Sequence, residues 1–304
     1  VSWENSSQRG IAVKPAVFDY YSPQTVHEAL LLLEQHGFEA KILAGGQSLI
    51  PTMNMRLASP KVLIDIGRIG ELESIRVSEE EIQIGGMTRQ FLIEQSPEVA
   101  RYCPMLAEGI KLIGHPQIRS RGTVGGSLVH ADPTAELPVI LCTLGGAVTL
   151  ASLDGERVVP AEEFFLTYLT TAIEPNELLV AVQFPRIQPR SGHAIEEFAL
   201  RKGDFAIVLA AAAVTLDEAG KIAAASLGLG GVDGAPVKLD QVTDALLGLE
   251  PDSRLIQECC EQIRDIVEPE SDIHASAEYR RDLSVTLGRR ALETALGRAR
   301  LSLT

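Results

Sequence analysis

The chain has 304 residues, 45% of them hydrophobic, which is enough for a substantial core divided between two domains and excludes disorder as the default. Its formal charge of −14 opposes a nucleic-acid partner, and any anion held here is drawn mainly by oriented backbone N–H groups rather than by a basic patch. There is no apolar run of about eighteen residues and residues 1–14 are polar, without the apolar core of a signal peptide, so a cytoplasmic protein is expected.

The first element is predicted as a helix with Ser22 as N-cap, Pro23 at the first helical position, Val26, Ala29, Leu30 and Leu33 on its apolar face, and Gly37 as its stop. Residues 41–44 read as a short buried strand. That strand breaks at Gly45-Gly46 into a helical turn before a second strand over residues 62–65, giving a strand, glycine turn, helix, strand unit. A strand at 82–84, a helix starting near Thr88 and an apolar helix over 105–112 follow, then a second glycine turn at 122–127.

After that turn, residues 134–144 look helical, and 147–150, 157–159 and 178–184 look like strands. The pattern is α+β. Residues 185–192 have linker composition, which sets a domain boundary near residue 187. Beyond it, residues 206–216 and 221–229 read as two long strands joined by the turn Asp217-Glu218-Ala219-Gly220, and helices dominate from Ser253 onward. The expected domains are 14–187, with subdomains 14–66 and 67–187, and 188–304.

The four cysteines, Cys103, Cys142, Cys259 and Cys260, form no C-x-x-C pair and have no spacing suited to zinc or an iron–sulfur cluster. They read as small buried hydrophobes, and any metal centre is expected on another chain. His115, His130, His193 and His274 are too scattered to suggest a metal site. Ser48 and Ser127 lie in no G-x-S-x-G elbow, which argues against a hydrolase. The run Gly228-Leu229-Gly230-Gly231-Val232-Asp233-Gly234 has the wrong glycine spacing for a dinucleotide fingerprint, and Pro236 follows where a helix should continue. The charged stretch 278–290 reads as a solvated helical face.

The two glycine turns carry the chemistry. Ala44-Gly45-Gly46-Gln47-Ser48 follows a buried strand, where paired glycines allow positive φ and bring N–H groups to an anion, with Gln47 and Ser48 as side-chain donors. Thr123-Val124-Gly125-Gly126-Ser127 repeats the pattern, small hydroxyl residues around a glycine pair. In His130-Ala131-Asp132-Pro133-Thr134-Ala135-Glu136 the carboxylates suit ribose hydroxyls, and equally suit the start of the next helix.

These runs, with Leu49-Ile50-Pro51 after the first, resemble the FAD-binding medium subunits of the molybdenum hydroxylase family, that of xanthine dehydrogenase and carbon monoxide dehydrogenase. The resemblance covers nearly the whole chain. It extends to Arg201-Lys202-Gly203-Asp204-Phe205-Ala206 and Ser271-Asp272-Ile273-His274, and is nearest to the quinoline and nicotine oxidoreductase branch. It implies a two-subdomain PCMH-type FAD-binding domain followed by a C-terminal domain of antiparallel strands and helices. Carried over by position, it puts Ile42, Leu43, Ala44, Gly45, Gly46, Gln47, Ser48 and Leu49 along the FAD pyrophosphate, and Thr123, Gly125, Gly126 and Ser127 as its second clamp. Asp132 and Glu136 fall near the ribityl or ribose groups, and Ile113, Gly114 and Leu179 near the flavin. Where several relatives place a lysine near the flavin, this chain has Glu196-Glu197.

The function so implied is electron transfer from the iron–sulfur clusters of a partner through FAD to an external acceptor. The partners implied are a large molybdopterin-binding subunit and a small 2Fe–2S subunit, assembled as a dimer of heterotrimers. No residue of this chain is then needed as an acid or base on the substrate. The alternatives are a self-contained FAD-dependent oxidase and a cofactor-free scaffold.

Overall fold

In the computed structural model, which describes residues 13–302, three sheets of three or more strands follow one another along the chain, besides a two-stranded hairpin; residues 1–12 of the polar N-terminal stretch lie outside the described residues. The first sheet is parallel, with β3 (Val62–Asp65) between β1 (Asp19–Tyr21) and β2 (Ala40–Leu43). Parallel strands need crossovers. Here α1 (Val26–His36) leads from β1 to β2 and α2 (Leu49–Asn54) from β2 to β3. Ala29, Leu30 and Leu33 of α1 pack with Val62 and Ile64, closing a small core with Ile66, Ile69 and Leu72.

The N-cap of α1 is Thr25, not Ser22. The Thr25 hydroxyl accepts from the Glu28 N–H at 3.2 Å, and the Glu28 carboxylate accepts from the Gln24 N–H at 2.7 Å. The first bond takes up one of the helix's free N–H groups and the second ties down the residue before the cap, which Ser22 and Pro23 do not. Gly37, at φ +48°, ends the helix as expected.

The second sheet is antiparallel, in the order β4 (Ile75–Val77), β5 (Glu81–Gly85), β10 (Leu178–Pro185), β6 (Ala147–Ser152), β7 (Gly155–Pro160). Between β5 and β6 run α3 (Gln90–Gln95), α4 (Pro97–Tyr102), α5 (Pro104–Gly109), α6 (Pro116–Arg119), α7 (Val124–His130) and α8 (Glu136–Thr143); α9 (Ala161–Phe164) and the hairpin β8 (Phe165–Thr167)–β9 (Thr170–Thr171) precede β10. Every residue of α8 is buried, so the helix has no polar face and its sequence shows little periodicity.

The third sheet runs β11 (Ser191–Phe198), β12 (Val208–Leu216), β13 (Ile222–Gly230), β14 (Val237–Lys238), antiparallel throughout. Only residues 186–190 connect it to β10; the segment read as linker also holds the end of one strand and the start of another. Helices α10 (Asp240–Asp244), α11 (Ser253–Glu261), α12 (Ile263–Ile266) and α13 (Ala277–Leu301) complete the fold. Val208, Ala210, Ala212, Val214 and Leu216 of β12 face these helices, while Leu209 and Ala211 close the core of the second lobe. A strand buried on both faces reads as a continuous apolar run, which is why residues 206–216 show no alternation. Small residues there let α13 lie close: a Cβ on Gly192 would collide with the Ala295 carbonyl.

Candidate functional site

The first glycine turn leaves the end of β2 and enters α2. Gly46 has φ +71°, a conformation that side-chain-bearing residues rarely adopt, and it turns the chain so that successive amides point outward. The N–H groups of Gly45, Gly46, Gln47, Ser48 and Leu49 meet no acceptor among the described residues. Five adjacent amides left free at a half-buried turn are the feature that an anion satisfies. The Gln47 side chain points back, donating to the Gly45 carbonyl at 3.1 Å.

The second turn lies directly against the first. A Cβ on Gly45 would sit 2.5 Å from the Arg121 carbonyl oxygen and 2.8 Å from the Gly122 Cα, and one on Gly126 would lie 3.5 Å from the Ala44 Cβ. Its amides are engaged, unlike those of the first turn. Val124 donates to Thr88 at 3.1 Å, Gly125 to Gly86 at 2.9 Å, Gly126 to the Thr123 hydroxyl at 3.1 Å and Ser127 to the Thr123 carbonyl at 3.2 Å. The second turn thus offers a bare wall and the Ser127 hydroxyl, not a second row of free donors.

Gly86 ties this wall to Leu179. Its N–H donates to Val180 at 2.9 Å, at the bulge where the β10 register slips between Leu179 and Ala181, and Leu179 is buried in the second core. Ile113 and Gly114 sit in a loop pinned from below by Arg119, which donates to their carbonyls at 3.0 and 3.2 Å and forms a two-pronged pair with Glu94 at 2.8 and 3.2 Å. Gly203 of the third lobe packs on Gly114 and His115, so the 201–206 run lies over this loop.

Asp132 accepts from the Thr134 N–H at 2.9 Å and hydroxyl at 2.6 Å, holding the turn that leads into α8. Glu136 opens α8 and is buried; burial first, then the charges of Glu197 and Asp132, push its carboxyl up to about 8. Glu197 of β11 lies near enough to act on it electrostatically. Burial raises its carboxyl to about 7, and its Oε2 has no hydrogen-bond partner. Both side chains are therefore protonated more readily than ordinary carboxylates.

The structure thus brings together the two turns, and links Gly114 to the third lobe and Asp132 to Glu136. Ile42 and Leu43 belong to β2 beneath the first turn, where Ile42 packs in the first core. Sequence reasoning missed Gly86, Gln90 and Arg89. Gln90 is buried, takes the Gly122 carbonyl through its backbone N–H at 2.9 Å and leaves its side-chain Oε1 unpartnered. The one available signal was a further glycine pair, Gly85-Gly86, closing β5.

Residues 16–187 match a family described as the FAD binding domain in molybdopterin dehydrogenase, and residues 193–295 match the CO dehydrogenase flavoprotein C-terminal domain. The 6-hydroxypseudooxynicotine dehydrogenase complex subunit alpha of Paenarthrobacter nicotinovorans is 41% identical over 95% of this chain and 97% of its own length. Among solved structures, carbon monoxide dehydrogenase from Hydrogenophaga pseudoflava superimposes with a TM-score of 0.91 at 36% identity, covering 93% of this chain and 99% of that one. Quinoline 2-oxidoreductase from Pseudomonas putida 86 gives 0.89 at 35% identity, covering 94% and 99%.

Proposed function

The chain belongs to the family of FAD-binding medium subunits of molybdenum hydroxylases, and we propose that it is the electron outlet of such a complex. The observation that carries this reading is the row of free amides from Gly45 to Leu49 set against the glycine wall of the second turn. The row of neutral donors suits a dinucleotide pyrophosphate. Ile42, Leu43 and Ala44 lead into the row, and Thr123, Gly125, Gly126 and Ser127 form the far wall. Asp132 and Glu136 lie where ribose or ribityl hydroxyls need acceptors, and Ile113, Gly114 and Leu179 supply apolar surface toward the ring.

FAD supplies electron storage and transfer that no side chain in this chain can provide. The protein's share is binding, orientation and electrostatics. Cys103, Cys142, Cys259 and Cys260 are buried and free, and burial pushes the thiols of Cys103, Cys142 and Cys260 up to about 12. No group of three or more metal-binding side chains occurs among the described residues.

On this reading, substrate is oxidised on a large molybdopterin-binding partner and electrons arrive through a small 2Fe–2S partner, in a dimer of heterotrimers in the cytoplasm. Among the described residues no helix is long and apolar enough to cross a membrane. The FAD-binding part is assigned to residues 14–187, dividing near 66, and the C-terminal domain to 188–304. The test is a titration of the purified chain with FAD, which should end at one equivalent with a bound-flavin spectrum and no stoichiometric iron or molybdenum. A chain that takes up no FAD, alone or with its partners, would leave the scaffold reading.

A further inference from the structure

The cradle has a charged neighbour that neither glycine turn accounts for. Arg89 lies just before α3, and its Nη1 donates to the Arg121 carbonyl, the same oxygen that a Cβ on Gly45 would meet. Its backbone also bridges Thr123. The guanidinium is thereby fixed where the two turns touch. A guanidinium carries five N–H donors in a rigid fork, and apart from that carbonyl none of them meets an acceptor among the described residues.

Among the described residues Arg89 also lacks a counter-ion at contact distance. Glu73 and Asp65 act on it only at longer range, and Asp65 is already engaged by the Tyr20 hydroxyl at 2.6 Å and the Gly67 N–H at 2.9 Å. Arg121, the nearest like charge, is exposed, and among the described residues its side chain makes no ion pair or hydrogen bond. Partial burial, then the Arg121 charge, lower the Arg89 pKa from its usual 12.5. Holding a partly buried cation beside a like charge is unfavourable unless an anion arrives, and the described acidic residues supply none at contact distance.

We infer that Arg89, assisted by Arg121, is a further cofactor-binding residue: its free fork takes a phosphate oxygen of the dinucleotide pyrophosphate held on residues 45–49. This rests on the FAD reading above. It adds a charged donor to a site otherwise made of neutral amides, and charge-assisted forks to phosphate are the stronger kind.

The test is FAD affinity of the apo chain, measured by flavin fluorescence across a range of salt concentrations. Arg89→Gln should weaken FAD binding about tenfold or more and flatten its salt dependence, because the guanidinium–phosphate interaction it removes is ionic. Arg89→Lys should restore part of the affinity and most of the salt dependence, since it returns the charge without the fork. Unchanged affinity in Arg89→Gln, or weaker binding with the wild-type salt dependence, would overturn the inference and mark Arg89 as a strut of the turn. If Arg89→Gln does not fold, Arg121→Gln carries the test, as that side chain bonds nothing among the described residues: weaker FAD binding with a shallower salt dependence supports the clamp, and unchanged binding overturns it. A wild-type chain that binds no FAD would instead bring down the cofactor reading itself.

Discussion

A methyl group on Gly45 would lie 2.5 Å from the carbonyl oxygen of Arg121. The two glycine turns, far apart in sequence, thus meet backbone to backbone, and their glycines divide into those whose added Cβ would strike backbone and those whose added Cβ would strike only side chains. Gly45 and Gly125 are of the first kind, because an added Cβ at Gly125 would sit 2.6 Å from the Gly86 carbonyl. Gly126 is of the second kind: its nearest neighbours are the Thr123 hydroxyl at 2.7 Å and the Ala44 Cβ at 3.5 Å.

The two kinds should separate by experiment. Gly45→Ala and Gly125→Ala should each cost about 1–3 kcal/mol of stability, since backbone atoms must move. Gly126→Val should cost about 1 kcal/mol, mainly the Thr123 cap, yet lose bound FAD. Gly46→Val adds strain of about 1–2 kcal/mol at its positive φ and should also lose FAD. Thermal melts and the flavin absorbance of each variant read both effects. Full FAD content in Gly46→Val and Gly126→Val would make the turns purely structural.

The Glu136–Glu197 pair predicts a pH dependence. Both carboxyls have folded pKa values raised above the usual 4.5, to about 8 and about 7. The folded chain therefore holds protons that the unfolded chain releases. Their contribution to stability is fully present below about pH 4.5 and is lost as pH rises through the window up to about 8. Melts of the apo chain across that window should fall toward alkaline pH, and Glu136→Gln should flatten the fall. A Glu136→Gln chain with the wild-type slope would show that Glu136 is ionised in the fold.

Arg119 predicts how the loop near the flavin is held. Its side chain is 8% exposed, and it joins Glu94 to the Ile113 and Gly114 carbonyls. Arg119→Met should cost about 3 kcal/mol, because it strands a partly buried carboxylate and two carbonyls. Amide exchange of residues 113–115 should accelerate more than that of β5. Equal acceleration everywhere would point to general destabilisation instead.

Most of the architecture was readable because its cores are local and periodic. The strand over 62–65 and the strand pair on either side of the 217–220 turn follow from apolar runs bounded by turn residues. The three-residue strands β1 and β4 were missed; both are short and largely exposed, and the partner of β1 lies far along the chain at β3. The same limit applied to the site. The glycine pairs were visible as motifs, but the state of their amides was not: Gly125 and Val124 donate to Gly86 and Thr88, a pairing that only the fold creates. Arg89 was invisible for the same reason, since nothing in its neighbours signals that it reaches the Arg121 carbonyl.

Whether electrons leave the complex through a flavin held by this chain can be read by rapid mixing of substrate with the assembled complex carrying Gly126→Val. Substrate should still reduce the molybdenum and iron–sulfur centres of the partners at the wild-type rate, while turnover with the natural acceptor stops. Full turnover with that acceptor in the FAD-free complex, or substrate oxidation by the isolated chain loaded with FAD, would contradict the electron-outlet role.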